Sequence, residues 1–295
     1  MPFIPWRLGS VPAGAGRARR AARRPRPAER VLVLAALLAT ARVAAAEDPA
    51  AAAPDPADIM RRNFVVGRVA DSRAELTMTL ISADGTRRVR ETRILTKLLP
   101  NGVDQKRLIR FLSPAGVKGT TTLLVEDADG DDDIWIYLPA LRKVHRLVTN
   151  SKKNSFVGTD FSYGDMIGHK VDDWTYEYLG TETLDGVATH VVMCVPRTDE
   201  VRDASGYSKR KVWIRRDNLV SVRGEYWNTG GELMKVFTAR DVREIDPTNH
   251  KWQASFLGMR NEQTEHATEI AIGKLEVGVG LGDEHFTEQS LEREF

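Results

Sequence analysis

Apolar and polar side chains alternate with a period of two over most of the chain after residue 75. Leu76, Met78 and Leu80 share one side of the first such run, and the polar residues between them lie on the other side. This period is typical of a half-buried β-strand. Residues 83–86 (ADGT) then predict a tight turn, so the first two runs are expected to form an antiparallel hairpin.

Similar strand-like runs follow along the rest of the chain. They lie at 87–98, 105–112, 120–127, 133–138, 143–148, 174–181, 187–196, 208–215, 219–227, 233–244, 251–259 and 265–277. Helical patterns occur only near the start, in the 160s and near the C-terminus. Many strands at short spacing predict a mainly β domain of the α+β class, built on a single curled antiparallel sheet with a few helices covering it.

Two helix starts have clear signals. Asp55 is a typical N-cap and precedes Pro56 at the first helical position, and Gly67 is expected to end that helix. Ser162 and Asp165 have the spacing of a capping box, in which each side chain bonds the backbone of the other residue. The second signal predicts one short helical turn.

The N-terminal segment has the three regions of an export signal. Residues 17–30 are strongly basic, residues 31–39 are apolar, and Ala44 to Ala46 provide a small-residue cleavage site before Glu47. This order predicts a secretory signal peptide that is cleaved near Ala46, and hence a periplasmic protein. The predicted organisation is a signal peptide at 1–46, a disordered linker at 47–54 and one domain at 55–295.

Removing the leader reverses the sign of the net charge. The whole chain has a net charge of +2, but the first 46 residues hold nine of the 43 Lys and Arg residues and one of the 41 acids. The remainder therefore has 34 basic and 40 acidic side chains, a net charge of −6. An acidic domain has little attraction for phosphate backbones, so no nucleic-acid partner is expected.

No motif of catalysis, metal binding or cofactor binding occurs. The six histidines are far apart in sequence without metal-ligand spacing, and no nucleophile elbow, Walker loop or dinucleotide fingerprint is present. The single cysteine, Cys194, lies in an alternating run and is expected to be buried in a strand. We therefore expect a protein that is not an enzyme, with no catalytic residue, no metal and no cofactor.

The most distinctive stretch is 133–168, which joins an apolar hairpin to an aromatic-rich turn. Its elements are Trp135, YLPAL at 137–141, RKV at 142–144, Arg146, Phe156, GTDFSY at 158–163 and Asp165. In these elements the chain resembles the outer-membrane lipoprotein-sorting family, relatives of the LolA and LolB carriers of Gram-negative bacteria. The resemblance implies an unclosed β-barrel around an apolar cavity, with carriage of lipidic cargo across the periplasm.

Three groups of candidate site residues follow. Residues expected to line or cover the cavity are Leu76, Met78, Leu80, Trp135, Tyr137, Phe156, Phe161, Tyr163 and Met166. Family-motif residues expected to shape the aromatic turn are Gly158, Asp160, Ser162 and Asp165. Basic residues expected to orient docking at a membrane or a membrane partner are Arg142, Lys143, Arg146, Lys152 and Lys153.

These features favour a soluble, monomeric periplasmic carrier that delivers a lipid, lipoprotein or similar apolar cargo toward the outer membrane. An inner-membrane transporter and an outer-membrane acceptor would be its partners. Two alternatives remain open from the residues. The barrel could be a docking subunit of an inner-membrane transporter, its lumen filled by Trp135, Tyr137, Trp213 and Phe237, or it could be a hydrolase with a polar triad inside the lumen.

Overall fold

Thirteen antiparallel strands form one sheet in the described part of the chain. A computed structural model describes residues 53–148 and 152–293, so the predicted signal peptide, its cleavage site and most of the predicted linker lie outside the described residues. The strands are β1 Asp71–Ile81, β2 Arg87–Leu98, β3 Gln105–Ser113, β4 Thr121–Val125, β5 Asp133–Leu138, β6 Lys143–Leu147, β7 Trp174–Leu184, β8 Val187–Pro196, β9 Tyr207–Arg215, β10 Ser221–Asn228, β11 Leu233–Asp246, β12 Lys251–Asn261 and β13 Ala267–Val277.

The strand order requires the sheet to curl. The order is β6-β5-β4-β3-β2-β1-β13-β12-β11-β10-β9-β8-β7, so β6 and β7 are two unjoined edges. Arg107 on β3 bonds Met166 and Tyr207 on β9 bonds Asp165, so two adjacent residues touch strands that lie seven strand spacings apart. A flat sheet with a spacing of about 4.8 Å would hold these two strands ~34 Å apart. The sheet is therefore an open barrel, which confirms the predicted fold class.

The described residues contain three α-helices, α1 at Pro56–Val65, α2 at Tyr163–Ile167 and α3 at Asp199–Ser205, and short 3-10 turns at Val171–Asp173, Asp283–His285 and Glu288–Leu291. The predicted N-cap of α1 is correct, because the Asp55 carboxylate accepts a hydrogen bond from the Ala57 N–H at 2.9 Å. The helix ends at Val65, before the predicted stop at Gly67. Helix α3 was not predicted, because seven residues are too few for a helical period to stand out.

The two faces of the sheet pack against different partners. The inner face, together with α1 and α2, forms the main buried cluster. The outer face of β2, β3 and β4 packs Leu95, Leu108 and Leu123 against the C-terminal segment, which supplies Leu281, Phe286 and Leu291. Because both faces of this part of the sheet are covered, its strands carry apolar residues on both sides.

This double covering corrects two sequence predictions. Trp135 and Tyr137 do not face the barrel interior; they pack against the outer cluster with the C-terminal segment. Residues 134 and 136 of the same strand are the buried ones, and Ile134 belongs to the inner cluster. Side chains alternate along a strand, so the aromatic positions 135 and 137 point the other way.

Candidate functional site

An apolar cavity of about 390 Å³ lies inside the curled sheet and is partly open to solvent. Most of its wall is apolar, with a minority of polar residues. The lining consists of Phe64, Gly67, Arg68, Val69, Ser72, Ala74, Leu76, Met78, Ile94, Thr96, Gln105, Arg107, Ile109, Phe161, Asp165, Met166, Phe237, Gln253, Leu257, Ile270, Ile272 and Leu275. A mostly apolar wall with a few polar groups is the usual composition of a small-molecule site.

One wall of the cavity is formed by residues 155–168, hereafter the plug. The plug contains α2, and its predicted capping box is present: Ser162 Oγ accepts from the Asp165 N–H at 3.0 Å, and Asp165 Oδ2 accepts from the Ser162 N–H at 2.8 Å. Phe161 and Met166 of the plug contact the cavity. Because α2 has only five residues, contacts with the sheet must supply most of its stability.

A buried polar group attaches the start of α2 to one side of the barrel. The Asp165 carboxylate accepts from the Tyr207 hydroxyl at 2.9 and 3.0 Å and lies 3.4 Å from the Lys235 ammonium. The Lys235 ammonium also donates to the Tyr207 hydroxyl at 3.1 Å. Burial alone would raise the pKa of Asp165, but the nearby Lys235 charge and the hydrogen bonds hold that pKa well below its usual range.

His169 stands beside this group, directly after the plug. Its Nε2 lies 3.4 Å from Asp165 Oδ1, and its ring meets the rings of Trp174 and Tyr207 edge-on at 5.5 and 5.9 Å. Burial, with the positive charge of Arg210 nearby, lowers the pKa of His169 to about 4. His169 is therefore neutral near pH 7.

A second polar group holds the other end of α2. The Arg107 guanidinium on β3 donates to the backbone carbonyls of Met166 and Ile167, and through Nη2 to Glu126 Oε1 at 3.0 Å. Arg68, just after α1, donates to Glu126 Oε2 and to the Phe64 carbonyl. The two arginines share one buried carboxylate, and burial lowers the pKa of Arg107.

The residues predicted to line or cover the cavity divide into three groups. Leu76, Met78, Phe161 and Met166 line it. Leu80, Phe156 and Tyr163 lie in the same inner cluster but behind the cavity wall, where Phe156 and Tyr163 meet edge-on at 5.3 Å. Trp135 and Tyr137 lie on the outer face, as described above.

The four family-motif residues all shape the plug. Gly158 has a φ of +77°, a conformation that glycine adopts without strain, and it follows Val157 at +48°. Asp160 bonds Thr268 on β13 through both its carboxylate, at 2.7 Å, and its N–H, at 3.0 Å. Ser162 and Asp165 form the capping box. The motif therefore fixes the plug against the barrel wall.

The five predicted docking residues do not form one exposed cluster. Arg142, Lys143 and Lys153 are exposed, and Arg146, also exposed, pairs with Asp133. Lys152 is largely buried and lies 2.6 Å from the Asp132 carboxylate. The expectation that Lys152 belongs to a free basic surface is wrong, because that charge neutralises a buried acid.

Sequence reasoning missed Arg107, Tyr207, Lys235 and His169. The sequence contained a signal for two of them. Arg107 lies an even number of residues from Ile109 and Phe111 and so faces the same side of its strand, and Lys235 likewise faces the same side as Phe237. A charge at an inward position of an apolar strand requires a buried partner. Of the residues proposed to fill the lumen, Phe237 lines the cavity. Trp213 instead bonds Glu182 and lies outside the inner cluster.

Within residues 53–148 and 152–293, no group of three or more His, Cys, Asp or Glu side chains could hold a metal ion. Cys194 is buried in β8 as predicted, and burial raises the pKa of its thiol. Across the same described ranges, the helices are all too short or too polar to cross a membrane.

Known proteins share this architecture. A family model described only as “Uncharacterized protein” matches residues 103–293. A domain from Vibrio parahaemolyticus, described as an outer-membrane lipoprotein-sorting protein, is 27% identical, with a TM-score of 0.74 over 81% of this chain and 98% of that domain. A DUF1329 family protein from Desulfovibrio piger is 28% identical, with a TM-score of 0.74 over 81% of this chain and all of that one.

A LolA superfamily protein from Nitrosomonas europaea shares the fold at 16% identity, with a TM-score of 0.62 over 81% of this chain and all of that one. The predicted LolA-like, unclosed barrel is therefore confirmed. No curated protein matches the chain.

Proposed function

We propose that this chain is a periplasmic carrier, because it belongs to the family whose model matches residues 103–293, is similar to a lipoprotein-sorting protein domain and shares the fold of a LolA superfamily protein. In this proposal the cavity holds a lipid, the acyl part of a lipoprotein or a similar apolar cargo, and the protein delivers it toward the outer membrane. An inner-membrane transporter would supply the cargo and an outer-membrane acceptor would receive it. The basic and apolar order of the first 46 residues supports export.

The cavity of about 390 Å³ carries this proposal. Its volume lies in the range of about 300–1,000 Å³ that is usual for small-molecule sites.

A carrier needs such a cavity because water opposes the release of acyl chains from a membrane. Each exposed methylene costs about 0.8 kcal/mol, so a chain of fourteen methylenes faces roughly 11 kcal/mol. Apolar residues such as Leu76, Met78 and Ile109 replace the contacts that the chain leaves in the bilayer. The direction of transport then follows from a donor and a tighter acceptor, without any chemical step in the carrier.

The plug supplies a movable wall. It is short and contacts the cavity through Phe161 and Met166, and polar groups hold both ends of its helix. Because the plug contributes no strand to the sheet, it opens at lower cost than the core strands do. Displacement of the plug would enlarge the cavity for entry and release.

Mass spectrometry of an organic extract tests the proposal, using protein purified from its native periplasm. We expect at least one bound amphiphile in stoichiometric amount. The same protein, stripped of lipid, should bind an apolar fluorescent dye that added lipid displaces. An empty extract together with no dye binding would overturn the carrier function and favour the docking-subunit alternative.

A matched pair of substitutions connects the binding to the cavity. Ala74 lines the cavity, whereas Ala271 is exposed on the neighbouring strand β13. Ala74→Phe should fill the cavity and weaken dye binding at least tenfold, because the added ring competes for the same space. Ala271→Phe should leave dye binding unchanged; equal effects of the two variants would place the dye elsewhere.

A further inference from the structure

One end of the cavity carries a polar row that crosses three neighbouring strands. Ser72 on β1 is paired with Thr96 on β2, and Thr96 is paired with Arg107 on β3. All three residues line the cavity. The next inward row is Ala74, Ile94 and Ile109, which is entirely apolar and lines the same cavity. The wall therefore changes from polar to apolar within one step along the strands.

The polar end has an excess of positive charge. Arg107 and Arg68 both line the cavity, and both pair with the single carboxylate of Glu126. The side chains of Arg68 and Glu126 are each only 6% exposed, and that of Arg107 is 19% exposed. This triad therefore contains two positive charges and one negative charge within a space that water screens poorly.

No other charge at the cavity removes this excess. Among the described residues that line the cavity, the one carboxylate is Asp165. Its charge is already balanced by Lys235, whose ammonium lies 3.4 Å away. A buried charge without a counter-charge is unfavourable, so the polar end is complementary to a ligand that brings one negative charge.

Free hydrogen-bond donors accompany the charge. Gln105 is 96% buried; its side-chain carbonyl accepts from Arg107 at 2.8 Å, and its amide nitrogen has no partner within the described part of the chain. The Thr96 hydroxyl, which also lines the cavity, likewise has no side-chain hydrogen bond to any described residue. An anionic oxygen is the acceptor that these donors and the guanidinium groups would bind best.

We propose that the cargo is an amphiphile with a single anionic head group, a carboxylate or a phosphate. The head group binds at the row of Ser72, Thr96 and Arg107, next to Gln105. The acyl chain lies along Ala74, Ile94 and Ile109. This inference rests on the proposed carrier function and adds the chemical class and the orientation of the cargo.

Four probes with the same sixteen-carbon chain and different head groups test the inference: hexadecanoate, hexadecyl methyl phosphate, hexadecanol and hexadecyltrimethylammonium. Each is used below its micelle concentration to displace an apolar dye from the delipidated protein. We expect the two anions to bind at least tenfold more tightly than the alcohol, about the ratio that one charge-assisted hydrogen bond confers. The cation should bind weakest. The stronger of the two anions identifies whether the site prefers a carboxylate or a phosphate.

Two variants at one position test the charge directly. Thr96→Glu places a carboxylate beside Arg107 and should abolish the preference for anions over the alcohol. Thr96→Gln introduces a side chain of nearly the same size as glutamate but without the charge, and it should keep that preference. Circular dichroism of both variants checks that the barrel has folded, and the head-group preference is measured relative to the dye affinity of each variant.

The outcomes separate this inference from the carrier function. If the probes bind equally, or the cation binds most tightly, the head-group inference is overturned while the carrier function stands. If none of the four probes displaces the dye, the acyl-chain site and the carrier function both fail. If Thr96→Glu and Thr96→Gln keep the same preference, the head group does not lie at this row.

Discussion

The hydroxyl of Tyr207 on β9 donates to the carboxylate of Asp165 on α2, at 2.9 Å from Oδ2 and 3.0 Å from Oδ1. Both side chains are buried, and burial together with the Asp165 charge raises the pKa of Tyr207 well above its ordinary value. Tyr207 therefore stays protonated and remains a donor throughout the physiological pH range. This contact joins the plug to the barrel wall at the start of its helix.

Tyr207→Phe should lower the free energy of unfolding by about 1–3 kcal/mol, because it leaves the buried Asp165 carboxylate short of one donor. Urea denaturation followed by circular dichroism measures the change. Tyr178→Phe is the control, since Tyr178 lies on the edge strand β7 and, among the described residues, its hydroxyl bonds only the exposed Thr181 and the half-buried His190. Its effect should stay within about 0.5 kcal/mol, and an equal loss in both variants would contradict the assigned role of Tyr207.

The stability of the protein should fall between pH 6.5 and pH 4 because of His169. Its pKa is lowered to about 4 in the folded protein from an ordinary 6.5. In this window the unfolded chain binds a proton that the folded chain does not, so the free energy of unfolding decreases as the pH falls. Above pH 6.5 this contribution is complete, and its size is on the order of 3 kcal/mol.

Chemical denaturation at a series of pH values checks this prediction. His169→Gln should make the free energy of unfolding less dependent on pH between 6.5 and 4. The same substitution at His145, which is exposed on β6, should leave the pH dependence of the wild type unchanged. A wild-type profile that is flat in this window would refute the prediction.

Arg107 and Arg110 lie on the same strand and hold different segments. Arg107 donates to the carbonyls of Met166 and Ile167 in the plug, whereas Arg110 donates to the carbonyls of Ser290 and Leu291 at 3.1 Å. Arg107→Gln should therefore increase hydrogen exchange at the amides of residues 163–168. Arg110→Gln should increase exchange near residue 290 instead, because the two guanidinium groups donate to the backbone of different segments.

Mass spectrometry with peptide resolution measures both patterns on the same samples. Each variant is the control for the other, since both remove one guanidinium from β3. Increased exchange over the whole sheet in both variants would mean that the two arginines stabilise the barrel as a whole. That result would rule out separate attachment of the two segments.

The strands and the capping box were predictable because their signals are local. The alternation that begins at Leu76 depends only on near neighbours, and the spacing of Ser162 and Asp165 is set by one helical turn. Eleven of the predicted strands agree with the structure to within two residues at each end. The unclosed barrel was implied by the family resemblance. The apolar–polar period of two predicts the strands but does not specify a barrel.

The positions that were mispredicted depend on contacts between distant parts of the chain. Trp135 and Tyr137 belong to the family motif, but the covering of the outer face by Phe286 and Leu291 decides which way they point. Lys152 was placed on a free basic surface because its partner, Asp132, is twenty residues away. No local pattern carries this information, since a strand with two covered faces has apolar residues on both sides.

Leu291 and Met78 provide a test of which buried cluster serves the cargo. Both side chains are almost fully buried, Leu291 in the outer cluster and Met78 in the wall of the cavity. Replacing either with alanine should lower the free energy of unfolding by about 2–5 kcal/mol, because each leaves a void in a packed region.

The affinity for an apolar dye separates the two variants. Met78→Ala should change it by several-fold, since the void enlarges the binding cavity, whereas Leu291→Ala should leave it unchanged. Dye titration below the unfolding temperature of both variants measures this difference, and a matching change of affinity in Leu291→Ala would mean that the outer cluster also contacts the cargo.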